Sequence, residues 1–177
     1  MIVWINGTFG VGKTTTARFL HEQAGWPVFD PEHVGYLVGG HLRDLDYDDF
    51  QDLPPWRALV PKVADELLRF RGTDHLVAVQ TVLRHDYWQE LFAGFAALGH
   101  DVFHVVLHCE PEVLRARIEA DQEEAGALQW RLDHLDRFAT ARDAWMLSAA
   151  DLAIDTTGTA APEVADAVRA AVTNRRR

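Results

Sequence analysis

Cysteine and serine are almost absent from this sequence. Among 177 residues there is one cysteine, Cys109, and one serine, Ser148. A single cysteine excludes an intrachain disulfide and a zinc site built on several cysteines. Ser148 lies in Leu-Ser-Ala, which lacks the glycine-flanked turn of serine hydrolases. A disulfide-stapled fold, a cysteine-rich metal site and a serine hydrolase are therefore poor interpretations of this chain.

Long apolar runs and positive charge are also scarce. No stretch approaches the ~18 apolar residues of a membrane span, and the N-terminus lacks the basic region of a secretory signal. Lys+Arg number 17 against 27 Asp+Glu, so the formal net charge is −10. Such a surface repels nucleic acid and anionic lipid. We therefore expect a cytoplasmic protein, monomeric or homodimeric, without nucleic-acid or membrane partners.

Short apolar segments alternate with helical patterns along the whole chain. This alternation predicts a single α/β domain over residues 1–177, with a mainly parallel sheet. The predicted strands are Ile2–Asn6, Pro27–Asp30, Leu76–Thr81, Val102–His108 and Leu152–Asp155. The predicted helices are Lys13–Ala24, Pro31–Val38, Pro61–Arg71, Tyr87–Leu98, Pro111–Ala120, Gln129–Trp145 and Pro162–Val172. Two looser polar segments, 39–55 and 121–126, are candidates for mobile segments that cover a substrate.

The strongest signal is a glycine-rich loop between the first strand and the first helix. Residues 7–14 read Gly-Thr-Phe-Gly-Val-Gly-Lys-Thr, which matches G-x-x-x-x-G-K-[ST] at every fixed position. Glycines allow the backbone to turn its N–H groups toward an anion, and the next helix adds its positive end. The pattern predicts a P-loop that binds ATP or GTP. The predicted nucleotide-binding residues here are Gly7, Phe9, Gly10, Val11, Gly12, Lys13, Thr14 and Thr15.

Two side chains of this loop have specific predicted roles. Lys13, one of only two lysines, supplies a positive charge to the β- and γ-phosphates. Thr14 offers a hydroxyl oxygen to Mg²⁺ and is the predicted metal ligand. No Asn-Lys-x-Asp guanine motif is present, which argues against a GTPase. The small size then favours a kinase among P-loop proteins.

The acceptor side is predicted at the carboxyl ends of the strands, where open α/β sheets bind their ligands. Asp30 follows the second strand and is the predicted general base, although it is also a natural N-cap for the next helix. Glu32 is the alternative carboxylate. The third strand lacks the aspartate that many P-loop proteins use to hold Mg²⁺, because the chain reads Gln80-Thr81 there.

Phosphoryl transfer also requires cations near the equatorial oxygens of the transferred group. Arg84 is positioned to bind substrate or phosphate, and Arg117 and Arg131 are the preferred catalytic arginines of a predicted lid over residues 119–138. A solvated charged helix face is the alternative explanation for each of these arginines. His100, His104 and His108 recur every fourth residue, but they lie in or beside a predicted strand, so a metal site is not predicted.

Several segments together resemble the tunicamycin-resistance-protein family of P-loop kinases, and more distantly chloramphenicol phosphotransferase. The resemblance lies in residues 2–17, in Phe29-Asp30-Pro31-Glu32-His33-Val34-Gly35, and in the block 49–57 that ends Pro54-Pro55-Trp56-Arg57. It implies a three-layer fold with a five-stranded parallel sheet in the order 2-3-1-4-5 and a small lid. It also implies ATP- and Mg²⁺-dependent phosphorylation of a hydroxyl group on a small molecule, such as a nucleoside-type antibiotic.

The same resemblance assigns further residues to the site. Residues 31–72 become the acceptor-binding region, and the segment after the fifth strand, with Thr157, becomes the adenine-side loop. The implied substrate-binding residues are Asp30, Glu32, His33, Tyr36, Trp56, Arg57 and Arg84.

Three functions remain open from the sequence. The first is a kinase that acts on an antibiotic or nucleoside, and the second is a housekeeping kinase for a nucleoside or another metabolite. A nucleotide acceptor would need a basic pocket, for which only Arg43, Arg57 and Arg84 are available. The third is a protein that binds a drug in the presence of nucleotide without phosphorylating it.

Overall fold

A computed structural model of the chain describes residues 1–121 and 128–175. Residues 122–126 of the loose segment 121–126, which belongs to the predicted lid 119–138, lie outside the described residues. Strands β1 (Ile2–Asn6), β2 (Val28–Phe29), β3 (Leu76–Val79), β4 (Val102–His108) and β5 (Leu152–Asp155) form one parallel sheet in the order β2-β3-β1-β4-β5. The predicted fold class and strand order are confirmed.

Helices cover both faces of this sheet. They are α1 (Lys13–Ala24), α2 (Glu32–His41), α3 (Pro54–Arg71), α4 (His85–Ala97), α5 (Pro111–Ala120), α6 (Leu128–Ala141) and α7 (Ala161–Arg175). A short 3₁₀ turn, Phe50–Asp52, precedes α3, and a π-helical turn, Arg142–Met146, follows α6. Within the described parts of the chain, no helix combines the length and apolarity needed to span a membrane.

The central strand β1 is buried on both sides and divides the core into two. Its side chains alternate between the faces, as a strand requires. Ile2 and Trp4 pack on the face covered by α2, α3, α4 and the π-helical turn. Val3 and Ile5 pack on the opposite face, covered by α1 and α7. All of these side chains are fully buried, so β1 lies between the two apolar layers. This packing fixes the position of its carboxyl end.

Helix α3 begins seven residues earlier than predicted. The prediction used Pro61 as a first helical residue, whereas the helix begins at Pro54 and has Pro61 in its interior. Pro54 and Pro55 occupy the first turn, where the missing N–H groups cost nothing. The ring of Pro61 is buried against Gly94 of α4, where an added Cβ would lie 2.8 Å from the proline Cγ. This close helix packing compensates for the interior proline, which local sequence rules cannot anticipate.

Other differences are smaller and lie at the ends of elements. β2 stops at Phe29 and β3 at Val79, so Asp30 and Thr81 belong to the loops beyond them. The predicted helix 129–145 is α6 followed by the π-helical turn. The segment predicted as loose, 39–55, contains the end of α2 and the 3₁₀ turn.

A buried histidine connects β4 to the rest of the core. His104 is 1% exposed, and its ring stacks on Trp88 at 4.1 Å between centroids. Its Nδ1 lies 3.0 Å from the Ala149 carbonyl oxygen, which can only accept, so Nδ1 carries the hydrogen. Nε2 is then free to accept from the Asn6 side-chain amide at 3.3 Å. His104 is therefore a neutral core residue, in agreement with the absence of a predicted metal role.

Acid should destabilise the fold through this histidine. Burial lowers the pKa of His104 from 6.5 to about 4. Because the folded state disfavours the charged form, the stabilisation is complete above pH 6.5 and is lost as the pH falls toward 4. The loss amounts to at most about 3 kcal/mol of unfolding free energy. Urea unfolding of the protein and of H104Q across this pH range measures it. The variant keeps an acceptor for Asn6 and should lose this component, and an unchanged pH dependence would contradict the assignment.

Candidate active site

The P-loop turns tightly between β1 and α1. At Gly7 (φ 149°) an added Cβ would lie 2.7 Å from the Leu107 carbonyl oxygen, and Gly12 (φ 101°) has a left-handed conformation at the helix N-terminus. Both positions therefore require glycine. The loop curves over the first turn of α1, whose N–H groups and positive end face the same space. This geometry is that of an anion cradle.

Lys13 closes the loop from its C-terminal side. Its Nζ donates to the Thr8 carbonyl oxygen at 2.9 Å. Burial, together with the nearby Arg131, lowers the pKa of Lys13 from 10.5 to about 8, while Asp30 and Glu32 oppose the shift. The side chains of Thr14 and Thr15 line the same cavity. The ammonium group is thus held beside the loop, where burial destabilises its charged form unless an anion binds next to it.

Phe9 joins the P-loop to helix α6. Its ring contacts Trp130 edge to face, with centroids 5.0 Å apart, and also meets His134. The guanidinium of Arg131 and the ammonium of Lys13 each lie 5.6 Å from the centroid of Phe9. The sequence predicted Phe9 and Arg131 as site residues but missed Trp130 and His134. Their i, i+4 spacing on one helix face was the available signal.

The predicted arginines Arg117 and Arg131 occupy different positions at the loop. Arg117 of α5 donates to the Thr156 carbonyl oxygen at 2.8 Å and reaches the Gly10 carbonyl oxygen at 3.5 Å. Arg131 is buried and pairs with Asp121 at 2.9 Å. Both line the main cavity, which places two guanidinium groups on the P-loop side.

A small groove lies beside the P-loop and shares Gly10 and Arg117 with the main cavity. It has a volume of about 210 Å³ and is lined in part by Gly10, Val11, Arg117 and Thr156. Thr157 is not in its lining, because its hydroxyl accepts from the Glu110 N–H at 3.0 Å and donates to Asp155. Thr156 faces the groove, and the nucleotide-binding role of Thr157 stays a prediction.

The main cavity has a volume of about 1120 Å³ and extends from the P-loop to α2 and the 3₁₀ turn. Asp30 and Glu32 line it close enough to Lys13 to affect its pKa. One Asp30 oxygen accepts from the Glu32 backbone N–H at 2.9 Å, so Asp30 also caps the start of α2. The functional and capping roles considered for Asp30 are thus compatible. Tyr36 and Arg84 line the cavity as well.

Three predicted substrate-binding side chains are not in the cavity lining. Trp56 is fully buried, and its indole N–H donates to the Pro31 carbonyl oxygen at 2.9 Å. Arg57 is buried and pairs with Glu90 at 2.7 Å, and it also donates to the Gln51 carbonyl oxygen. His33 is on the exposed face of α2. Trp56 and Arg57 therefore support the wall of the site rather than contacting a ligand, because burial and internal hydrogen bonds occupy their polar groups.

The acceptor side of the cavity is built around a turn that the sequence predicted only as a block. Asp49 accepts from the Gln51 N–H at 2.9 Å, and Asp52 accepts from the Asp49 N–H at 3.2 Å. Asp52 also accepts from the Tyr87 hydroxyl at 2.8 Å. The Tyr87 ring contacts two guanidinium groups, those of Arg57 at 4.1 Å and Arg84 at 4.0 Å. Sequence reasoning did not single out Asp49, Asp52 or Tyr87, because a network across three elements leaves no local pattern.

The loop after β3 connects the donor and acceptor sides. The Thr81 hydroxyl donates to the Gly7 carbonyl oxygen at 2.6 Å, and the Thr81 carbonyl oxygen accepts from the Gln51 side chain at 3.0 Å. The Asn6 side-chain oxygen accepts from the N–H groups of Gly7 at 2.9 Å and Val82 at 3.0 Å. The P-loop and the acceptor turn are thus held together through this loop. Asn6 and Thr81 are further site residues that the sequence analysis missed.

A nucleotide triphosphate with Mg²⁺ fits this donor set. The loop has the glycine conformations, the helix N-terminus and the desolvated lysine that a triphosphate requires. The Thr14 hydroxyl is exposed at the cavity and is a hard oxygen ligand. Within residues 1–121 and 128–175 no group of three or more His, Cys, Asp or Glu side chains can hold a metal by itself. Mg²⁺ would accordingly bind through Thr14 together with phosphate oxygens and water.

Comparison with known proteins supports a kinase fold. The family model described as AAA domain matches residues 2–145. No curated protein matches the chain. The chain is similar to the tunicamycin resistance protein of Deinococcus radiodurans, with 30% sequence identity and a TM-score of 0.70. That alignment covers 97% of this chain and 94% of the other.

Two further structures share the fold at lower identity. Shikimate kinase from Acinetobacter baumannii is 20% identical with a TM-score of 0.63, over 98% of this chain and 93% of that chain. APS kinase from Mycobacterium tuberculosis, solved with AMPPNP and APS, is 17% identical with a TM-score of 0.63, over 97% and 96%. The structure therefore has the fold of small-molecule P-loop kinases.

Nucleotide binding should be accompanied by proton uptake at Lys13. With a pKa of about 8 in the free protein, half of the Lys13 side chains are neutral near pH 8. Bound phosphates stabilise the charged form, so ATP binding takes up roughly half a proton there, and affinity falls as the pH rises through 8. Calorimetry in buffers of different ionisation enthalpy measures the uptake. K13M should abolish it, and equal uptake in K13M would refute the assignment.

Loss of the Thr81 hydroxyl should lower the rate of phosphoryl transfer more than it lowers the stability of the fold. Replacing it with valine removes the hydroxyl that holds the Gly7 carbonyl, so the P-loop loses its register against the acceptor turn. We expect T81V to lower kcat about tenfold, with a stability loss of about 1 kcal/mol. Steady-state kinetics and urea unfolding test this, with T81S as the matched control that keeps the hydroxyl. Wild-type kcat in T81V would show that the hydrogen bond has no role in positioning.

Proposed function

Because the chain belongs to the AAA domain family and is a P-loop kinase resembling the tunicamycin resistance protein, we propose that it phosphorylates a small molecule. It transfers the γ-phosphate of ATP or GTP, with Mg²⁺, to a hydroxyl group of its acceptor. A nucleoside-type antibiotic is the proposed acceptor class, and resistance or self-protection the proposed role. The reaction takes place in the cytoplasm.

One observation carries this proposal: Lys13 and Asp30 line the same cavity, and their charges interact. Lys13 belongs to the phosphate-binding loop, and Asp30 stands at the start of the acceptor-side helix α2. Their electrostatic interaction places the carboxylate near the ammonium that would contact the γ-phosphate. A general base must lie near the hydroxyl that attacks this phosphate, and Asp30 has that position.

The step can be written with these groups in defined roles. The acceptor oxygen forms a bond to the γ-phosphorus while the bond from that phosphorus to the β–γ bridging oxygen breaks, and the nucleoside diphosphate leaves. Asp30 accepts the hydroxyl proton and later releases it to water. Lys13, Arg117 and Arg131 stabilise the negative charge on the phosphate oxygens. Mg²⁺, when bound at Thr14, neutralises part of the charge on the β- and γ-phosphates.

The regions of the chain divide accordingly. We assign residues 1–177 to one kinase domain, with 31–72 as the acceptor-binding region and 119–138 as the lid. Glu32 and Tyr36 of this region, together with Asp30 and Arg84 outside it, are the residues proposed to contact the acceptor. The structural likeness to the tunicamycin resistance protein over nearly the whole length of both chains supports an antibiotic acceptor.

A housekeeping nucleoside or metabolite kinase is the second candidate. Three arginines that could bind a phosphate of the acceptor help to evaluate it. Of the three arginines available to bind an acceptor phosphate, Arg57 pairs with Glu90 and Arg84 pairs with Asp86. Arg43 does not line the cavity. None of these three arginines is an unpaired guanidinium in the cavity lining, which disfavours a nucleotide acceptor, whereas a nucleoside remains compatible with the cavity.

The rate of phosphoryl transfer should depend on the Asp30 carboxylate, whereas the folding of the chain should not. D30N keeps a side-chain oxygen to cap α2, so the helix should form, but the amide cannot accept a proton. We expect a loss of at least about 100-fold in kcat, and a comparable or larger loss in K13A. Mass spectrometry of a panel of nucleoside antibiotics, chloramphenicol, nucleosides and nucleotides, incubated with ATP or GTP and Mg²⁺, detects the phosphorylated product. D46N, at an exposed carboxylate outside the cavity, is the matched control.

The outcomes separate the candidate functions. A product heavier by one phosphoryl group in wild type and D46N, but not in D30N, supports the kinase and identifies its acceptor. Drug binding without a mass change, unaffected by D30N, supports a sequestering protein instead. Normal turnover in K13A would refute the P-loop mechanism.

A further inference from the structure

The acceptor half of the main cavity carries an excess of unneutralised carboxylates. Its lining includes Asp30, Glu32, Asp48, Asp49 and Asp52. In the part of the chain that the structure describes, none of these five carboxylates has a Lys, Arg or His nitrogen within the 4.0 Å of an ion pair. Hydrogen bonds from backbone N–H groups and from Tyr87 hold three of them in place without adding a cation in direct contact.

Most cations of the cavity lie at its P-loop end or are paired with another side chain. Arg84 pairs with Asp86, outside the lining, and stacks on Tyr87. Lys13, Arg117 and Arg131 lie on the P-loop side, where a triphosphate would engage them. Among the described residues, His134 and Arg137 of α6 act electrostatically on the acceptor turn at Asp49, and Arg84 acts on it at Asp52. The cavity therefore changes from positive at the donor end to negative at the acceptor end.

Asp49 shows the cost of this arrangement. Burial raises the pKa of its carboxyl, and the neighbouring Asp52 adds to the shift, while His134 and Arg137 offset it only in part. A cation placed beside a desolvated carboxylate of this kind stabilises its ionised form. A bound anion would instead destabilise that form by repulsion.

A metal ion does not explain the carboxylates. Among residues 1–121 and 128–175 no three of them converge closely enough to form a metal site. They are spread along the wall of a cavity large enough for a drug-sized molecule. An organic cation, which can contact carboxylates at separate places, matches that distribution.

An aromatic ring faces the same space. Tyr36, one turn along α2 from Glu32, is 64% exposed and lines the cavity. Ring faces attract ammonium groups, and they also stack on planar rings of a ligand. The acceptor half thus combines negative charge with aromatic surface.

From this juxtaposition we infer that the acceptor is a cation: a hydroxyl-bearing molecule with a protonated amine and no phosphate or carboxylate group. The amine lies against the Asp48–Asp49–Asp52 turn while the hydroxyl reaches Asp30 and the γ-phosphate. The inference rests on the proposed function and narrows its acceptor class. It also excludes acidic sugars and nucleotides as acceptors, because each would add negative charge to an already negative wall.

Matched probes test the charge of the acceptor directly. Puromycin, a nucleoside with a free amine, is compared with its uncharged N-acetyl derivative, and glucosamine with glucose and glucuronate. Binding is measured by calorimetry to the protein with AMPPNP and Mg²⁺ at about pH 6.5, where the amines are largely protonated. Transfer is measured separately with ATP by mass spectrometry. Each amine should bind at least about tenfold more tightly than its uncharged partner, with weaker binding at higher salt.

Variants locate the effect at the turn. D48N and D49N should each reduce the preference for the amine about threefold to tenfold and leave the uncharged partner unaffected. The amide of D49N retains the oxygen that caps the 3₁₀ turn. E66Q, which removes an exposed carboxylate on α3, is the control for net charge and should change nothing.

The results distinguish this inference from the proposed function. Charge-dependent binding without any phosphorylated product would leave the inference standing and refute the kinase reaction for these acceptors. Equal binding of amine and N-acetyl forms, tighter binding of glucuronate, or no binding by either amine would overturn the inference, whatever the transfer assay shows.

Discussion

The close passage of Gly7 beneath β4 is the constraint on which the site depends. The Leu107 carbonyl leaves no space for a side chain there, so the chain leaves β1 at a defined angle and enters the phosphate-binding loop. Asn6 and Thr81 fix the two sides of that passage by hydrogen bonds. Because β1 is buried between both helical layers, the point at which the loop leaves the strand is fixed by the packing of the core. A loop that must hold a triphosphate in one orientation requires this preorganisation.

Positive and negative side chains are separated along the main cavity. Lys13, Arg117 and Arg131 lie at the P-loop end of the cavity, and most of its carboxylates lie toward α2 and the 3₁₀ turn. Helix α6 links the two ends, because Trp130 and Arg131 contact Phe9 at the P-loop while His134 and Arg137 act on Asp49. A group that becomes more negative during transfer is therefore drawn to one side, and the hydroxyl proton to the other.

Agreement between sequence and structure is strongest where the signal is local. The P-loop, the α/β alternation and the Asp30 cap are each encoded within about a dozen neighbouring residues, and each is found in place. Agreement is weakest for Trp56 and Arg57, which were expected to face a ligand. Their side chains turn into the core because α3 begins at Pro54 and packs closely on α4, a result of tertiary contact that no local pattern contains.

The sequence by itself determined the fold class, the phosphate-binding loop and the net negative charge, because these follow from residue type and short spacing. The tertiary structure alone decided which polar residues share a cavity. Asn6, Thr81, Gln51 and Tyr87 come together only because β1, the loop after β3, the 3₁₀ turn and α4 converge at the carboxyl edge of the sheet. Such convergence depends on how elements distant in the chain pack, and side-chain identity alone does not specify it.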